Sequence, residues 1–229
     1  FYMSDRSRRK IADATISRLP MYLRILLELT ESGVAGVSSE KIAEMGGINA
    51  AKVRKDLSYL GSYGTRGVGY EVSFLIFQIQ RELGVDHEWP VVIVGAGNLG
   101  QALIGSGGFG RRSYPIVGLV DIDEAKVGSL IGSLRVGHID ELPNLIASQQ
   151  VAIGVVAVPG EAAQMVADRL ISAGVTSILN FAPIPVNVPV GISVRQVDLA
   201  CELQILSFHE QHKKKVVPWP QVLPKSVSA

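Results

Sequence analysis

A glycine-rich turn directly after a short β-branched run limits most strongly what this 229-residue chain can fold into. The turn follows Val91–Val94 and precedes a stretch with helical periodicity. In that context the first glycine permits a sharp turn, the second lets the backbone approach a pyrophosphate, and the third lets the new helix pack closely on the sheet. The helix N-terminus stabilises phosphate charge. The pattern therefore predicts a dinucleotide site at Gly95, Ala96, Gly97, Asn98, Leu99 and Gly100.

An acidic residue ends the next apolar run, which spans residues 114–120. Asp121 lies 21 residues after Gly100, where a carboxylate accepts hydrogen bonds from the adenosine ribose hydroxyls. A carboxylate there also repels a 2′-phosphate, so the spacing favours NAD(H) over NADP(H). A turn followed by an acid that only caps its own strand is the structural alternative.

Two further β-branched runs, at residues 151–158 and 177–181, alternate with helical patterns at 98–104 and 161–173. Continuously apolar strands that alternate with helices predict a parallel sheet buried on both faces. We therefore expect a Rossmann-type α/β domain over residues 86–197. Ligands bind at the carboxyl ends of such strands. The candidates there are Ala157, Val158, Pro159, Asn180 and Phe181. Asn180 could donate a hydrogen bond to a ligand, and Phe181 could pack against a nicotinamide. The alternative is that the prolines after these strands only end the strands and that no ligand binds there.

Residues 1–85 show a different, mainly helical pattern. An apolar face that includes Leu23, Leu26 and Leu27 ends at Gly33, Ser38 can cap a short helix, and Asn49 can cap a helix over residues 50–60. Residues 61–70 contain four glycines, as a tight hairpin would, and a further helix is expected over 72–83. Helix, short helix, turn, helix and hairpin follow one another in the order of a winged helix-turn-helix.

The charge distribution supports contact between that domain and nucleic acid. The chain has a net charge of +1, but residues 1–85 hold 12 basic and 9 acidic side chains. The predicted helix over 50–60 turns basic and hydroxyl side chains away from its apolar stripe, which allows contacts with phosphates and base edges. Ordinary solvated faces are the alternative. The candidate DNA-binding residues are Arg8, Arg9 and Lys10 in a basic arm, Lys52, Arg54, Lys55, Ser58 and Tyr59 on the helix, and Arg66 at the hairpin tip.

Residues 198–213 predict a last helix with Leu199, Leu203 and Leu206 on one side, where Ile205 could join them. Residues 214–229 are too rich in proline for regular structure. A small Rossmann domain need not bury that stripe, so we expect the helix to pack against a partner subunit. No catalytic acid–base pair and no metal cluster is expected from the positions of the histidines and of the single cysteine. The polar, basic start and the lack of an apolar run of ~20 residues favour a cytoplasmic protein without a signal peptide or membrane span.

Several segments together carry a resemblance to one family. They are Ala-Thr-Ile-Ser-Arg-Leu-Pro at 14–20 with Tyr-Leu-Arg at 22–24, Val-Arg-Lys-Asp-Leu-Ser-Tyr at 53–59, the hairpin at 61–70, the fingerprint at 95–100, Ile-Leu-Asn-Phe-Ala-Pro at 178–183 and Val-Asp-Leu at 197–199. Over nearly its whole length the sequence resembles the Rex family of bacterial redox-sensing transcriptional repressors. Family members often carry a tyrosine near the end of the fingerprint helix, where this chain has Ser106.

The resemblance implies a homodimer in which each winged helix reads half of an inverted-repeat operator. It also implies that the Rossmann domain senses the NADH/NAD⁺ ratio and that NADH, competing with NAD⁺, releases the DNA. By the same resemblance the C-terminal helix is exchanged between subunits, and Asp198 communicates with Arg24 of the DNA-binding domain. Two alternatives stay open at this point: an NAD-dependent oxidoreductase, or a coenzyme A-binding domain of the ligase type, each with a basic N-terminal appendage.

Overall fold

The computed structural model describes residues 11–61, 64–65, 69–106 and 113–213. The chain divides into two compact units, residues 1–88 and 89–229. The boundary expected at 85/86 lies in the same connection, which begins after a helix that ends at Leu83. No helix in the described part of the chain is long and apolar enough to cross a membrane.

The first unit is a small helical domain with a two-stranded antiparallel sheet. Its core contains Leu19, Tyr22, Leu26, Val53 and Leu57, each almost completely buried. Its elements are α1 (Asp13–Ile16), α2 (Leu19–Glu31), β1 (Gly36–Val37), α3 (Ser39–Gly46), α4 (Ala50–Tyr59), β2 (Tyr70–Glu71) and α5 (Val72–Leu83).

The predicted capping residues explain where the central helices begin. The Ser38 hydroxyl accepts a hydrogen bond from the Lys41 amide at 3.1 Å, and the Asn49 side chain accepts one from the Ala51 amide at 2.7 Å. These bonds fix the starts of α3 and α4, as sequence reasoning expected. Gly47 adopts a φ of 63° between the two helices and so turns the chain without strain. Leu27 differs from the expectation, because it is 42% exposed and lies outside the core.

Where the hairpin is described, it closes by a bridge between Thr65 and Gly69, whose amides donate to each other's carbonyls at 2.9 Å. β1 then pairs with β2, so the hairpin is anchored to the strand that precedes α3. A side chain at Gly69 would collide with the Val37 carbonyl oxygen. The glycine therefore permits the close approach on which this wing depends. Arg66 lies outside the described residues.

The second unit is a seven-stranded sheet in the order β5-β6-β4-β3-β7-β8-β9, parallel except for the β5–β6 pair. The order reverses on either side of β3, as in a doubly wound Rossmann sheet. Its strands are β3 (Val91–Val94), β4 (Ile116–Asp121), β5 (Leu130–Ile131), β6 (Leu134–His138), β7 (Ile153–Val156), β8 (Ser177–Asn180) and β9 (Ser193–Gln196). Its helices are α6 (Asn98–Gly105), a 3-10 turn (Ile139–Glu141), α7 (Leu142–Gln149), α8 (Gly160–Ser172) and α9 (Leu199–Lys213).

Two hydrophobic clusters cover the two faces of this sheet. Val92 and Val94 belong to the cluster that α7 and α8 complete, whereas Val91 and Ile93 belong to the one that Leu103 and Ile104 of α6 join. The alternation along β3 explains why its four residues are all apolar. No residue of α9 is buried, and none belongs to either cluster.

Candidate nucleotide and nucleic-acid sites

The three fingerprint glycines have three different environments. A Cβ at Gly95, whose φ is 111°, would collide with the Ala157 carbonyl oxygen, and one at Gly100 would collide with the Gly95 carbonyl oxygen. These glycines therefore let the loop turn against β7 and let α6 pack on it. At Gly97, by contrast, a Cβ would meet nothing within 4 Å. The chain's own packing does not require a glycine there, so the space in front of it is free for a ligand.

The loop also leaves the start of α6 open. Gly97 is the N-cap, and no side chain caps the helix. Asn98 and Leu99 are exposed at the first turn, and the Gln101 side-chain amide steadies the loop by donating to the Ala96 carbonyl at 3.0 Å. Uncapped amides at a helix N-terminus bind anions well. The loop therefore presents an open edge of backbone donors at the switch point of the sheet.

Asp121 joins the fingerprint to the neighbouring strand. Its carboxylate accepts hydrogen bonds from the Ala96 amide at 2.7 Å and from the Asp123 amide at 2.9 Å. The Lys126 ammonium lies 3.2 Å from the same carboxylate. Burial alone would raise the pKa of Asp121, but the two amides and Lys126 outweigh it and hold that pKa below its usual range. Asp121 is therefore ionised and positioned at the end of β4.

This geometry corrects one expectation about the loop. The sequence pattern places Ala96 among the phosphate-binding residues, but the Ala96 amide donates to the Asp121 carboxylate and the Ala96 side chain is fully buried. Ala96 therefore holds the loop in place, and the hydrogen-bond donors to a phosphate must come from the residues that follow it. The sequence does not predict the contact between Lys126 and Asp121, because that contact depends on the turn after β4 and belongs to no known motif.

Asn180 also differs from the expectation. Its Nδ2 group donates to the Ile184 carbonyl at 2.9 Å and to the Gln196 side chain at 2.7 Å, while its Oδ1 accepts from the Ala182 amide at 2.9 Å. Because the residue is fully buried and both of its donors are used, it has no free donor for a ligand. Asn180 therefore holds the loop after β8 in place, and partly buried Phe181 lies at the start of that loop.

The strand ends around this loop meet at one edge of the sheet. The Ala157 amide donates to the Val94 carbonyl at 2.9 Å, and the Phe181 amide donates to the Val156 carbonyl at 2.9 Å. The segments after β3, β7 and β8 are thus side by side, with Val158 and Pro159 following Ala157. The structure brings the predicted nucleotide residues together at the carboxyl edge of the sheet.

On α4, the burial pattern separates a packed face from an exposed one. Val53, Asp56 and Leu57 are buried, and Lys52, Arg54, Lys55 and Ser58 are exposed, with Tyr59 partly so. The Ser58 hydroxyl donates to the Lys55 carbonyl at 2.7 Å. A phosphate oxygen needs a donor, so Ser58 can contact one only by giving up that bond. The predicted arm residues Arg8, Arg9 and Lys10 lie outside the described part of the chain.

A buried carboxylate on α4 was not anticipated from the sequence. Asp56 accepts hydrogen bonds from Thr15 at 2.8 Å, from Arg18 at 2.6 and 2.8 Å, and from Tyr22 at 2.6 Å. Burial raises the pKa of Asp56, but these donors outweigh it and lower that pKa below its usual range. We call these four residues the Asp56 cluster. The cluster ties α4 to α1 and α2, and it pairs the Arg18 guanidinium with a carboxylate.

The proposed coupling residues can each be placed within their own unit. Arg24 is exposed on α2. The Asp198 carboxylate caps α9 by accepting hydrogen bonds from the Ala200 amide at 2.8 Å and the Cys201 amide at 3.3 Å. The Cys201 thiol and these two amides lower the pKa of Asp198. Asp198 is therefore a charged residue at the start of a helix that the chain itself does not bury.

Comparison with known proteins covers both units. Residues 10–58 match a family described as "Putative DNA-binding protein N-terminus", and residues 86–184 match one described as "CoA binding domain". The redox-sensing transcriptional repressor Rex of Streptomyces coelicolor is 57% identical over 205 residues, which cover 90% of this chain and 80% of that protein. The chain belongs to the Rex family. Rex of Pelotomaculum thermopropionicum is 45% identical, over 90% of this chain and 96% of that protein.

Solved Rex-family structures are similar to this chain over both units. RSP, described as a Rex-family repressor, is 33% identical with a TM-score of 0.82, over 90% of this chain and 96% of RSP. RSP in complex with β-NAD⁺ and operator DNA gives a TM-score of 0.84 at 33% identity, over 90% of this chain and 95% of RSP. RSP in complex with β-NADH gives a TM-score of 0.81 at 32% identity, over 90% of this chain and 97% of RSP. The predicted fold, a DNA-binding domain followed by a Rossmann-type α/β domain, is confirmed. The relatives are named as repressors, a regulatory rather than a catalytic role.

Proposed function

We propose that this chain is a homodimeric, cytoplasmic repressor that binds an inverted-repeat operator through its N-terminal unit and is released from DNA by NADH. The observation that carries the proposal is the open space at Gly97, in front of an uncapped helix at the switch point of a Rossmann sheet. Rex relatives with this fold are named redox-sensing repressors, and RSP has been solved with NADH, and with NAD⁺ and operator DNA.

The residues present fit a dinucleotide. We assign the pyrophosphate to the backbone at Gly97, Asn98 and Leu99, with Gly95 and Gly100 shaping the loop. Asp121 keeps acceptor capacity beyond its three contacts, because a carboxylate has about four lone-pair sites. It can therefore accept a ribose hydroxyl. The nicotinamide belongs near Ala157, Val158, Pro159 and Phe181, at the adjoining strand ends.

Discrimination between the two redox forms must come from that nicotinamide end. The ADP portion is identical in NADH and NAD⁺, whereas the oxidised ring carries a positive charge. NADH can drive release only by binding the DNA-incompetent arrangement more tightly than the competent one. Phe181 and the partner subunit's Asp198 are our candidates for sensing the ring, with Arg24 of the DNA-binding unit receiving the signal. Asn180 acts only by holding the loop.

The homodimer is proposed from α9. All fifteen residues of this helix are exposed in the single chain, including Leu199, Leu203, Ile205, Leu206 and Phe208. Exposed apolar surface of this extent on a regular helix is typical of a subunit interface. A two-fold dimer also matches an inverted-repeat operator, because each subunit then reads one half-site.

DNA contact is proposed for the exposed face of α4, the wing and the basic arm. Lys52, Arg54 and Lys55 can reach phosphates or base edges, and Tyr59 can reach a phosphate. The remaining contacts are assigned to Arg66, Arg8, Arg9, Lys10 and, once its hydroxyl turns, Ser58.

The test is operator binding measured with NADH and with NAD⁺ in turn, using a labelled duplex selected by the protein from a random-sequence library. NADH should release the duplex at concentrations where NAD⁺ leaves it bound. Equal effects of the two nucleotides, or no sequence preference, would refute the proposal.

Coenzyme A binding is a second candidate, because the match described as a CoA binding domain covers residues 86–184. A fluorescence titration of bound NADH with coenzyme A separates the two possibilities. Displacement of NADH by equimolar coenzyme A would favour the second.

A further inference from the structure

Helix α4, to which we assign DNA contacts, is joined to α3 by a polar network on the exposed side of the first unit. The Arg54 Nη1 group donates to the Glu40 carboxylate at 2.7 Å and to the Ser39 hydroxyl at 3.0 Å. The Ser39 hydroxyl donates in turn to the other Glu40 oxygen at 3.2 Å. Ser39 is buried, whereas Arg54 and Glu40 remain half exposed, with 53% and 66% of their side chains accessible. The network therefore rests on a fixed hydroxyl and faces solvent.

Arg54 differs in this respect from its basic neighbours on α4. Within the described residues, neither Lys52 nor Lys55 takes part in an ion pair. Arg54 uses both hydrogens of Nη1 for Glu40 and Ser39. Its Nε and Nη2 donors have no partner among the described hydrogen bonds, and they form the planar edge that can make two parallel bonds to guanine. Glu40 thus holds one edge of the guanidinium and leaves the other available.

We propose that Glu40 is a specificity-determining residue, which raises the preference of the protein for its operator over other DNA by holding Arg54. The proposal rests on the proposed function, because it assumes that α4 reads DNA. It concerns a residue that does not itself need to touch a base.

Two physical effects act in the same direction. An unpaired arginine on this face would bind a phosphate on any sequence and release one counterion, which strengthens non-specific binding. The Glu40 carboxylate compensates that charge, so Arg54 contributes less to the affinity for random DNA. At a matching guanine the held orientation costs Arg54 less side-chain entropy, because its rotamer is already fixed. The Glu40–Arg54 pair therefore weakens non-specific DNA binding and favours binding to the operator.

The decisive variant is Glu40→Gln, which keeps the acceptor oxygen and removes the charge. Glu44→Gln is the matched control, because Glu44 lies on the same helix in an exposed ion pair with Lys41 at 3.0 Å that does not reach α4. Both variants change the net charge equally. Affinities for the selected operator and for a scrambled duplex of the same length are measured over a range of salt concentrations.

We expect Glu40→Gln to bind scrambled DNA more tightly, with a salt slope steeper by about one unit. Its ratio of operator to scrambled affinity should fall at least about fivefold, the lower end of what one good base contact contributes. Glu44→Gln should keep the wild-type ratio within about twofold. In an Arg54→Ala background, Glu40→Gln should no longer change the ratio. Melting temperatures are measured for every variant, since Glu40 lies in the first turn of α3.

Three results would overturn the inference. If Glu40→Gln and Glu44→Gln lower the ratio equally, net charge explains the effect and Arg54 is not being held. An unchanged ratio in Glu40→Gln excludes a role for Glu40, while NADH-dependent operator binding by the wild type would leave the proposed function intact. A wild-type protein that does not prefer the operator contradicts both proposals.

Discussion

At the scale of single residues, the two units depend on different kinds of position: the Rossmann unit on glycines placed by local geometry, and the DNA-binding unit on Asp56, a carboxylate buried by long-range contacts. Each glycine occupies a position defined relative to a strand and a helix, so a local pattern is sufficient to find it. Asp56 lies in a basic segment, and its donors are 34 to 41 residues away in the sequence. Only the folded domain brings them together. Asn180 was misassigned for the same reason, because its partner Gln196 comes from the next strand.

Asp56 predicts how stability depends on pH. Because its pKa is lowered in the folded chain, the stabilisation it provides is complete above the unfolded value of about 3.9 and is lost as the pH falls through the folded pKa. Asp56→Asn should cost roughly 1–3 kcal/mol at pH 7, since it weakens bonds to a buried charge. Its stability should also fall less steeply below about pH 4.

Urea denaturation followed by circular dichroism between pH 7 and pH 3 measures this effect. Asp13→Asn, at an exposed acid of α1, is the control and should follow the wild type. Parallel pH curves for Asp56→Asn and the wild type would show that the Asp56 cluster does not carry the acid sensitivity.

A second prediction at this scale concerns the side chains that we assign to DNA contact. Changing Arg54, Lys55 or Arg66 to alanine should weaken operator binding by roughly 1–3 kcal/mol wherever a base is read. Contacts to phosphate alone should instead reduce the salt slope by about one unit. Lys41→Ala, on α3 and paired with Glu44, is the control. Wild-type affinity for Arg66→Ala would remove the wing from the DNA interface.

At the scale of elements, capped helices and buried strands were predictable, and short or exposed elements were not. The capping residues Ser38 and Asn49 predict where α3 and α4 begin, and the apolar run Val91–Val94 predicts β3. No comparable sequence pattern marks β5, a strand of two residues, or β9, an edge strand with mostly exposed side chains. Such strands are determined by pairing with neighbours rather than by a buried apolar pattern.

The helix α9 was predicted with one apolar stripe, but its exposed apolar residues lie on two sides. At 100° per residue, Ile205 and Phe208 point roughly opposite to Leu199, Leu203 and Leu206. A helix with two apolar faces is stable when it lies between two surfaces. The proposed exchange between subunits would provide both surfaces.

Truncation after Val197 tests that interpretation. The shortened chain retains both hydrophobic cores of its Rossmann unit, because α9 contributes to neither. It should therefore fold as a monomer and fail to bind an operator whose half-sites lie about 34–36 Å or a multiple apart. Sedimentation velocity gives the assembly state. A truncated protein that still sediments as a dimer would place the interface elsewhere.

At the scale of the whole molecule, the two units have separate cores and separate chemistry. Under the proposed function, a redox signal can reach DNA only if the nucleotide favours one arrangement of the proposed dimer over another. Local motifs predict both units, whereas the proposed coupling between them involves a partner subunit and has no local signal in the sequence. Arg24 and Asp198 remain the residues proposed for it.

The most direct measurement of this coupling is the NADH release curve of operator-bound protein, compared between the wild type and Gly97→Val. The new side chain enters open space, so the fold and operator affinity should be unchanged, but it fills the position assigned to the pyrophosphate. NADH should release the wild type and leave Gly97→Val bound to the operator. Release of Gly97→Val at wild-type NADH concentrations would show that the fingerprint loop is not the sensing site.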